Sequence, residues 1–201
     1  DGALGGTVVL SRKYRHLVKG AEYSDSFTWN AHKMMGVPLT ASAILFNKDP
    51  QMLRRHFSEK ADYLFQGEDD FNPGEYSLQC GRRNDGLKIW AAWKYLGDEG
   101  YEARVNQQYE LTQYAVKYIQ ADQDLHLLQE PECITVCFEV ANASSQEICN
   151  RLNQEGRIKV GYGKVKNKRY IRLVCVDAEM QTQDIDHFFE EVKLVANTLT
   201  N

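Results

Sequence analysis

A lysine enclosed in a run that otherwise calls for burial constrains this chain more than any other feature. The run is Asp25-Ser26-Phe27-Thr28-Trp29-Asn30-Ala31-His32-Lys33-Met34-Met35-Gly36-Val37-Pro38, and an apolar stretch over 41–46 follows it. Residues 24–30 read as a strand entering a turn and residues 41–46 as the strand leaving it. The small residues Thr40, Ala41, Ser42 and Ala43 let that backbone pack close to a neighbour. A solvated surface residue is the default reading of any one lysine. Lys33 departs from it because Trp29, Asn30, His32 and two methionines crowd it. Partial desolvation favours a lysine's neutral amine, the nucleophile that condenses with carbonyl compounds.

The rest of the chain reads as alternating helical and strand runs, hence an α/β protein. Thr7-Val8-Val9-Leu10 predicts a strand end or a buried loop, and the basic stretch 11–20 a short solvated helix. Residues 50–58 read as a helix with Pro50 in its first turn. Residues 59–75 have no sustained period and hold Gly67, Glu68, Asp69, Asp70, Pro73 and Gly74, which marks a long loop. A helix follows from Asn84 or Asp85 to Leu96, with Leu87, Trp90, Ala91 and Lys94 on one stripe and Gly97 as its stop. A second helix over 101–120 carries Val105, Tyr109, Thr112, Val116 and Ile119, and the domain boundary is expected around 97–101. Beyond it lie a strand over 133–140 and a capping box, Ser144-Ser145-Gln146-Glu147. That box opens a helix with Ile148 and Leu152 on one face and Gly156 after its end. Strands are expected over 158–161 and 170–176. A last amphipathic helix is striped by Ile185, Phe188, Phe189, Val192, Val195 and Leu199.

Composition removes several classes of function. The chain has 201 residues, 43% hydrophobic and 26% charged, with a formal net charge of −4 and scattered basic residues, so no nucleic-acid footprint is present. No apolar run approaches the ~20 residues of a membrane span. The five cysteines lack framework spacing. Cys133 and Cys137 would share one face of a strand, but no second pair sits at metal-ligand spacing. Reduced thiols of a cytoplasmic protein are the expectation.

Four motifs in order carry a resemblance to a known family. Asp25-Ser26 with Asn30-Ala31-His32-Lys33 resembles D-S-x-x-x-N-x-H-K, the lysine motif of the group II amino-acid decarboxylases that use pyridoxal 5'-phosphate (PLP). Asp1-Gly2-Ala3-Leu4-Gly5-Gly6 is similar to the family's D-A-A-W/Y-G-G, with Gly2 and Leu4 as departures. The separation of 32 residues between Asp1 and Lys33 also agrees. Tyr63-Leu64-Phe65-Gln66 and Gln79-Cys80-Gly81-Arg82-Arg83 resemble the glutamate and cysteine-sulfinate branch. The likeness covers the whole chain and thins over 141–168. Thr40-Ala41 stands where that branch usually carries Gln-Cys, which leaves the exact substrate open.

The resemblance implies the C-terminal part of a fold-type I PLP-dependent transferase, taken from a longer enzyme. Residues 1–100 would complete a large PLP-binding domain, and 101–201 would form a linker helix with a small α/β domain. It implies PLP-dependent α-decarboxylation of an acidic amino acid, glutamate first, then aspartate or cysteine sulfinate, by a cytoplasmic homodimer. Lys33 would hold the cofactor as a Schiff base, Asp1 would pair with its ring nitrogen, Ala3 would lie against the ring face, and Asn30 and His32 would contact the phosphate side. His32 also reads as a satisfied core histidine. Tyr63, on a mobile catalytic loop, would return a proton to Cα after CO2 leaves; an aromatic anchor for the loop is the alternative. Arg172, in Tyr170-Ile171-Arg172-Leu173-Val174, would grip a substrate carboxylate, unless an internal Asp or Glu pairs with it. The rival class is a catalytically incomplete piece that serves only as a dimerisation or interaction module.

Overall fold

The lysine run folds as its aromatic and β-branched content dictates. In the computed structural model, which describes residues 1–47, 49, 51–58, 63, 73–77, 79 and 81–200, strand β1 (Ser26–Asn30) pairs antiparallel with β2 (Ser42–Phe46). Asn30 lies opposite Ser42, so residues 31–41 form the connection that carries the lysine. Upstream, the expectation of a strand end or loop at 7–10 is corrected. A 3-10 helix spans Gly5–Leu10 with Thr7 and Val8 buried. The basic stretch 11–20 yields only the 3-10 turn Arg15–Val18, none of it buried. Helix α1 (Gln51–Phe57) lies within the expected range. Most of 59–75, with Glu68, Asp69 and Asp70, lies outside the described residues, as do Leu64–Gln66 and Cys80 of the matching motifs.

Helix α2 (Asp85–Ala121) starts where Asn84 caps it, the Asn84 Oδ1 accepting from Leu87 N at 3.3 Å. Gly97 breaks it with φ 66° and ψ −177°, a backbone a side chain would strain. The stop at Gly97 is therefore as expected, but the stripe before it is not. Leu87 and Trp90 are 55% and 60% exposed. Ile89, Ala92, Trp93 and Leu96 face inward instead and pack on Ala31, Met35, Val37 and Tyr101. This helix is apolar on two sides, and an aromatic cluster selects one. Trp93 meets Trp29 and Tyr101 edge-on, with ring centroids 6.5 and 5.3 Å apart.

The segment after Gly97 buries Val105, Tyr109, Thr112, Val116 and Ile119, the residues its period named. It packs on a second sheet. Strands β3 (Leu125–Leu127) and β4 (Thr135–Val140) are followed by helix α3 (Ser145–Gln154), strands β5 (Gly161–Val165) and β6 (Lys168–Val174), and helix α4 (Thr182–Thr200). The strand order is β3-β4-β6-β5, antiparallel throughout. Val136, Phe138 and Val140 alternate inward from β4, and Ile171 and Leu173 from β6. Phe188 and Phe189 of α4 meet Phe138 edge-on at 6.1 and 5.3 Å. Ser144 caps α3, its Oγ accepting from Glu147 N at 3.4 Å, and Gly156 takes φ 68° just past its end.

Two strands differ from expectation. The strand expected over 158–161 begins at Gly161, and β3 was not anticipated. An edge strand such as β5, largely exposed and holding two glycines, carries no alternation to read. Cys133 stands before β4 and not on a strand face, while Cys137 lies opposite Arg172. Cys133, Cys137, Cys149 and Cys175 are all free thiols. No described helix is long and apolar enough to cross a membrane.

Candidate functional site

The connection between β1 and β2 is a tight turn seated in the core through Ala31, Met34, Met35, Val37 and Ala41, with its lysine left half-buried. Lys33 N donates to Asn30 O at 3.1 Å, Gly36 N to Lys33 O at 2.9 Å, and Val37 N to Ala31 O at 3.2 Å. Gly36 makes the turn at φ 69°, and a Cβ there would lie 3.0 Å from Arg104 Nη2. Met34 and Met35 on one side are 0% and 2% exposed, which seats the turn in the core. Lys33 itself is half-buried. Its ammonium makes no hydrogen bond or ion pair among the described residues, so the backbone that carries it is fixed while the amine is engaged by none of them.

His32 is tied down on the same turn. Its backbone N donates to Ala41 O at 3.2 Å, and its Nδ1 lies 3.1 Å from Ala41 N and 2.9 Å from Ala41 O. Either tautomer thus anchors one ring edge to Ala41, just before β2, and leaves Nε2 for another partner. Asn30 ends β1 and accepts from Lys33 N through its carbonyl. The N-terminal segment comes alongside. Gly2 bridges Trp29 in parallel, with Gly2 N donating to Thr28 O at 2.9 Å. Asp1 and Ala3 are thereby placed beside the half of β1 that runs into His32-Lys33. The Asp1 carboxylate accepts from Ala3 N at 2.8 Å through Oδ1. Oδ2 has no partner among the described residues. The departure Gly2 also has a reason here, because a Cβ at that position would run into the Phe27 ring.

Asp1, Ala3, Asn30, His32 and Lys33 therefore share one end of the first sheet. Tyr63 and Arg172 stand apart from them. Tyr63 is 77% exposed, with its neighbours on both sides outside the described residues. Arg172 lies on β6 of the second sheet, opposite Cys137 and Gly161, and is exposed on the face away from Ile171 and Leu173. It has no ion-pair partner among the described residues, and the internal Asp or Glu considered from sequence is not found there. It borders a groove of about 370 Å³ with Lys159, Asp184, His187 and Phe188.

One residue that joins the two regions escaped the sequence reading. Gln108, fully buried on α2, donates through Nε2 to Met34 O at 3.0 Å and to Val176 O at 2.5 Å. It fastens the turn next to Lys33 to the chain just past β6. The signal was present, since Gln108 is a polar residue on an otherwise apolar helical stripe. Gln108→Leu keeps the volume and leaves two carbonyls unpaired, at about 1–3 kcal/mol for each group left buried. Urea unfolding should show that loss. An unchanged midpoint would make the contact incidental.

Known proteins resemble this chain along nearly its whole length. Residues 1–141 match the family model described as pyridoxal-dependent decarboxylase conserved domain. The cysteine sulfinic acid decarboxylase of Mus musculus is 34% identical over 222 residues, covering 99% of this chain and 45% of that protein. The glutamate decarboxylase of Drosophila melanogaster is 34% identical over 223 residues, covering 99% of this chain and 44% of its own length. The crystal structure of mouse CSAD in apo form superposes with a TM-score of 0.86 at 31% identity, over 98% of this chain and 45% of that one. The chain spans less than half the length of the relatives it matches.

Proposed function

Since the chain belongs to the pyridoxal-dependent decarboxylase family, we propose that its protein removes the α-carboxylate of an acidic L-amino acid, glutamate first, then aspartate or cysteine sulfinate. The observation that carries this reading is Lys33, half-buried on a turn fixed to the core, with no internal partner among the described residues for its amine. The residues present fit PLP. A lysine amine suits its aldehyde, the Asp1 carboxylate with Oδ2 unengaged suits a protonated ring nitrogen, and the small Ala3 leaves room beside a ring. Names of the relatives support the acidic substrate class.

PLP, when bound, supplies the sink for the electrons left behind as CO2 departs. The chain's residues do the rest. Lys33 offers the amine that holds the cofactor and takes its place again after turnover. Asp1 keeps a proton on the ring nitrogen by placing a negative charge beside it. His32, anchored through Nδ1, offers Nε2 toward the phosphate side, with Asn30 next to it. Tyr63 donates a proton to the substrate Cα. Arg172 grips a carboxylate through two parallel hydrogen bonds. Residues 1–100 form the cofactor-binding unit and 101–201 the small α/β unit; the break in α2 at Gly97, close to that boundary, supports the division. The working form is a cytoplasmic homodimer, and sedimentation tests the dimer.

The first test is direct. The protein supplied with PLP should turn yellow, lose that colour on borohydride reduction, and release CO2 from glutamate, aspartate or cysteine sulfinate. A protein that stays colourless supports the second reading, an interaction module, for which the outward Leu87, Trp90 and Tyr95 offer surface. Arg172 decides the substrate class. Arg172→Ala should cost ~2–5 kcal/mol in kcat/KM once the bound carboxylate is desolvated, and Arg172→Lys should not restore it, because an ammonium lacks the forked geometry. A loss shared by neutral amino acids assigns Arg172 to the α-carboxylate, and one confined to acidic substrates assigns it to the side chain. Near-normal efficiency of Arg172→Ala removes it from the site.

A further inference from the structure

The turn that carries Lys33 is clamped from outside by a residue that no motif singles out. Lys88, one turn into α2, places its Nζ 2.7 Å from Thr40 O and 3.1 Å from Pro38 O. The same Nζ forms an ion pair with Asp85 Oδ1 at 2.7 Å. The other oxygen, Asp85 Oδ2, accepts from Thr40 Oγ1 at 3.2 Å. Lys88 and Asp85 thus hold Thr40 from two sides, by its carbonyl and by its hydroxyl. Both side chains are about two-thirds covered, at 27% and 31% exposure. The Lys88 hydrogen bond, with help from Thr40, holds the Asp85 carboxyl below the usual carboxylate range. The Asp85 carboxylate is therefore charged at neutral pH.

What the clamp grips matters more than its strength. Thr40 is followed by Ala41, whose N and O are the two backbone groups that fix His32. His32 adjoins Lys33. A short covalent and hydrogen-bonded path thus runs from Lys88 through Thr40, Ala41 and His32 to the amine. On the opposite side Gln108 holds Met34 O, so the turn is gripped at both ends of the Lys33 segment. The Lys88 contacts are charge-assisted and reach carbonyls of an irregular segment that no strand partner satisfies.

We propose that Lys88 and Asp85 are positioning residues, a latch that holds residues 38–41 and through them His32 so that the Lys33 amine meets a carbonyl cofactor in a fixed geometry. The latch itself is a property of the fold; its use rests on the reading of Lys33 given above. It also gives Thr40 a part. Its hydroxyl gives the latch a second point of attachment to Asp85.

Lys88→Met keeps the stem of the side chain and removes the donors, so it separates the latch from simple packing. Amide hydrogen exchange in the full protein without PLP reads the turn directly, through the amides of His32, Gly36, Val37 and Ala41. They should exchange about tenfold faster in Lys88→Met as the turn opens locally, while amides of β4 and β6 keep parent rates. Lys88→Arg, which retains charge and several donors, should recover most of the protection. With PLP added at a subsaturating level, followed by borohydride, labelling of Lys33 should fall by about tenfold or more in Lys88→Met, because a misplaced amine reacts poorly. Asp85→Asn carries the same measurements if Lys88→Met does not fold. Unchanged exchange in the turn overturns the latch. Faster exchange with undiminished labelling of Lys33 overturns its positioning role and leaves a structural tie. A parent protein that is never labelled at Lys33 overturns the decarboxylase reading and, with it, the latch's use, while the exchange result still decides whether the latch exists.

Discussion

Lys33→Ala is expected to abolish capture of PLP and to reduce decarboxylation by on the order of 10⁴-fold or more, since a nucleophile removed from a concerted site has no partial substitute. Among the described residues, the two lysines of α2 that could be considered as substitutes, Lys88 and Lys94, are not available. Lys88 is committed to Pro38 O, Thr40 O and Asp85, and its withdrawal would loosen the turn. Lys94 is exposed on the outward side of α2. The turn does not depend on the Lys33 side chain, because its bonds run through backbone groups, His32 and Gln108. The variant should therefore fold with the parent's stability. Borohydride reduction of the parent, followed by peptide mass spectrometry, should place the pyridoxyl group on Lys33. A label on Lys94 or Lys60, or turnover retained by Lys33→Ala, would end the assignment.

Tyr63→Phe is expected to lower amine formation by about 10²–10⁴-fold, the range of a positioned general acid. The substitution removes a hydroxyl and keeps the ring. Because the ring stays in place, the unfolding midpoint should stay where it is. Cofactor capture by Lys33 should also be unaffected, which distinguishes loss of a proton donor from loss of the site. Without the phenol, the proton reaches the wrong carbon in a fraction of turnovers, and a carbonyl product appears in place of the amine. Chromatography of the products measures that ratio. Amine formed at the parent's rate by Tyr63→Phe would leave the residue without a role in proton transfer.

The contrast between the two halves of the chain shows what could be read without a fold. Ser144, Gly97 and Gly156 mark helix ends by chemistry that acts within a few residues, and each does so in the structure. Val105, Tyr109, Thr112, Val116 and Ile119, like the Ile185–Phe189–Val192 stripe, are buried because a 3.6-residue period fixes which residues share a face. The lysine turn was legible for the same reason, since β1, the turn and β2 are contiguous and their pairing is local. The tertiary structure alone decided the rest. Leu87 and Trp90 announce a buried stripe, yet the helix turns Ile89, Trp93 and Leu96 inward, because Trp29 and Tyr101 complete that side. Strands β3 and β5 are too short or too exposed to leave a pattern, and they form by pairing with β4 and β6. Gln108 and Lys88 grip the lysine turn from positions 74 and 48 residues away in the chain. A residue's propensity and period are set by its neighbours along the chain. Which distant carbonyl a buried donor meets is set only when the elements pack, and the placement of Lys33 depends on such contacts.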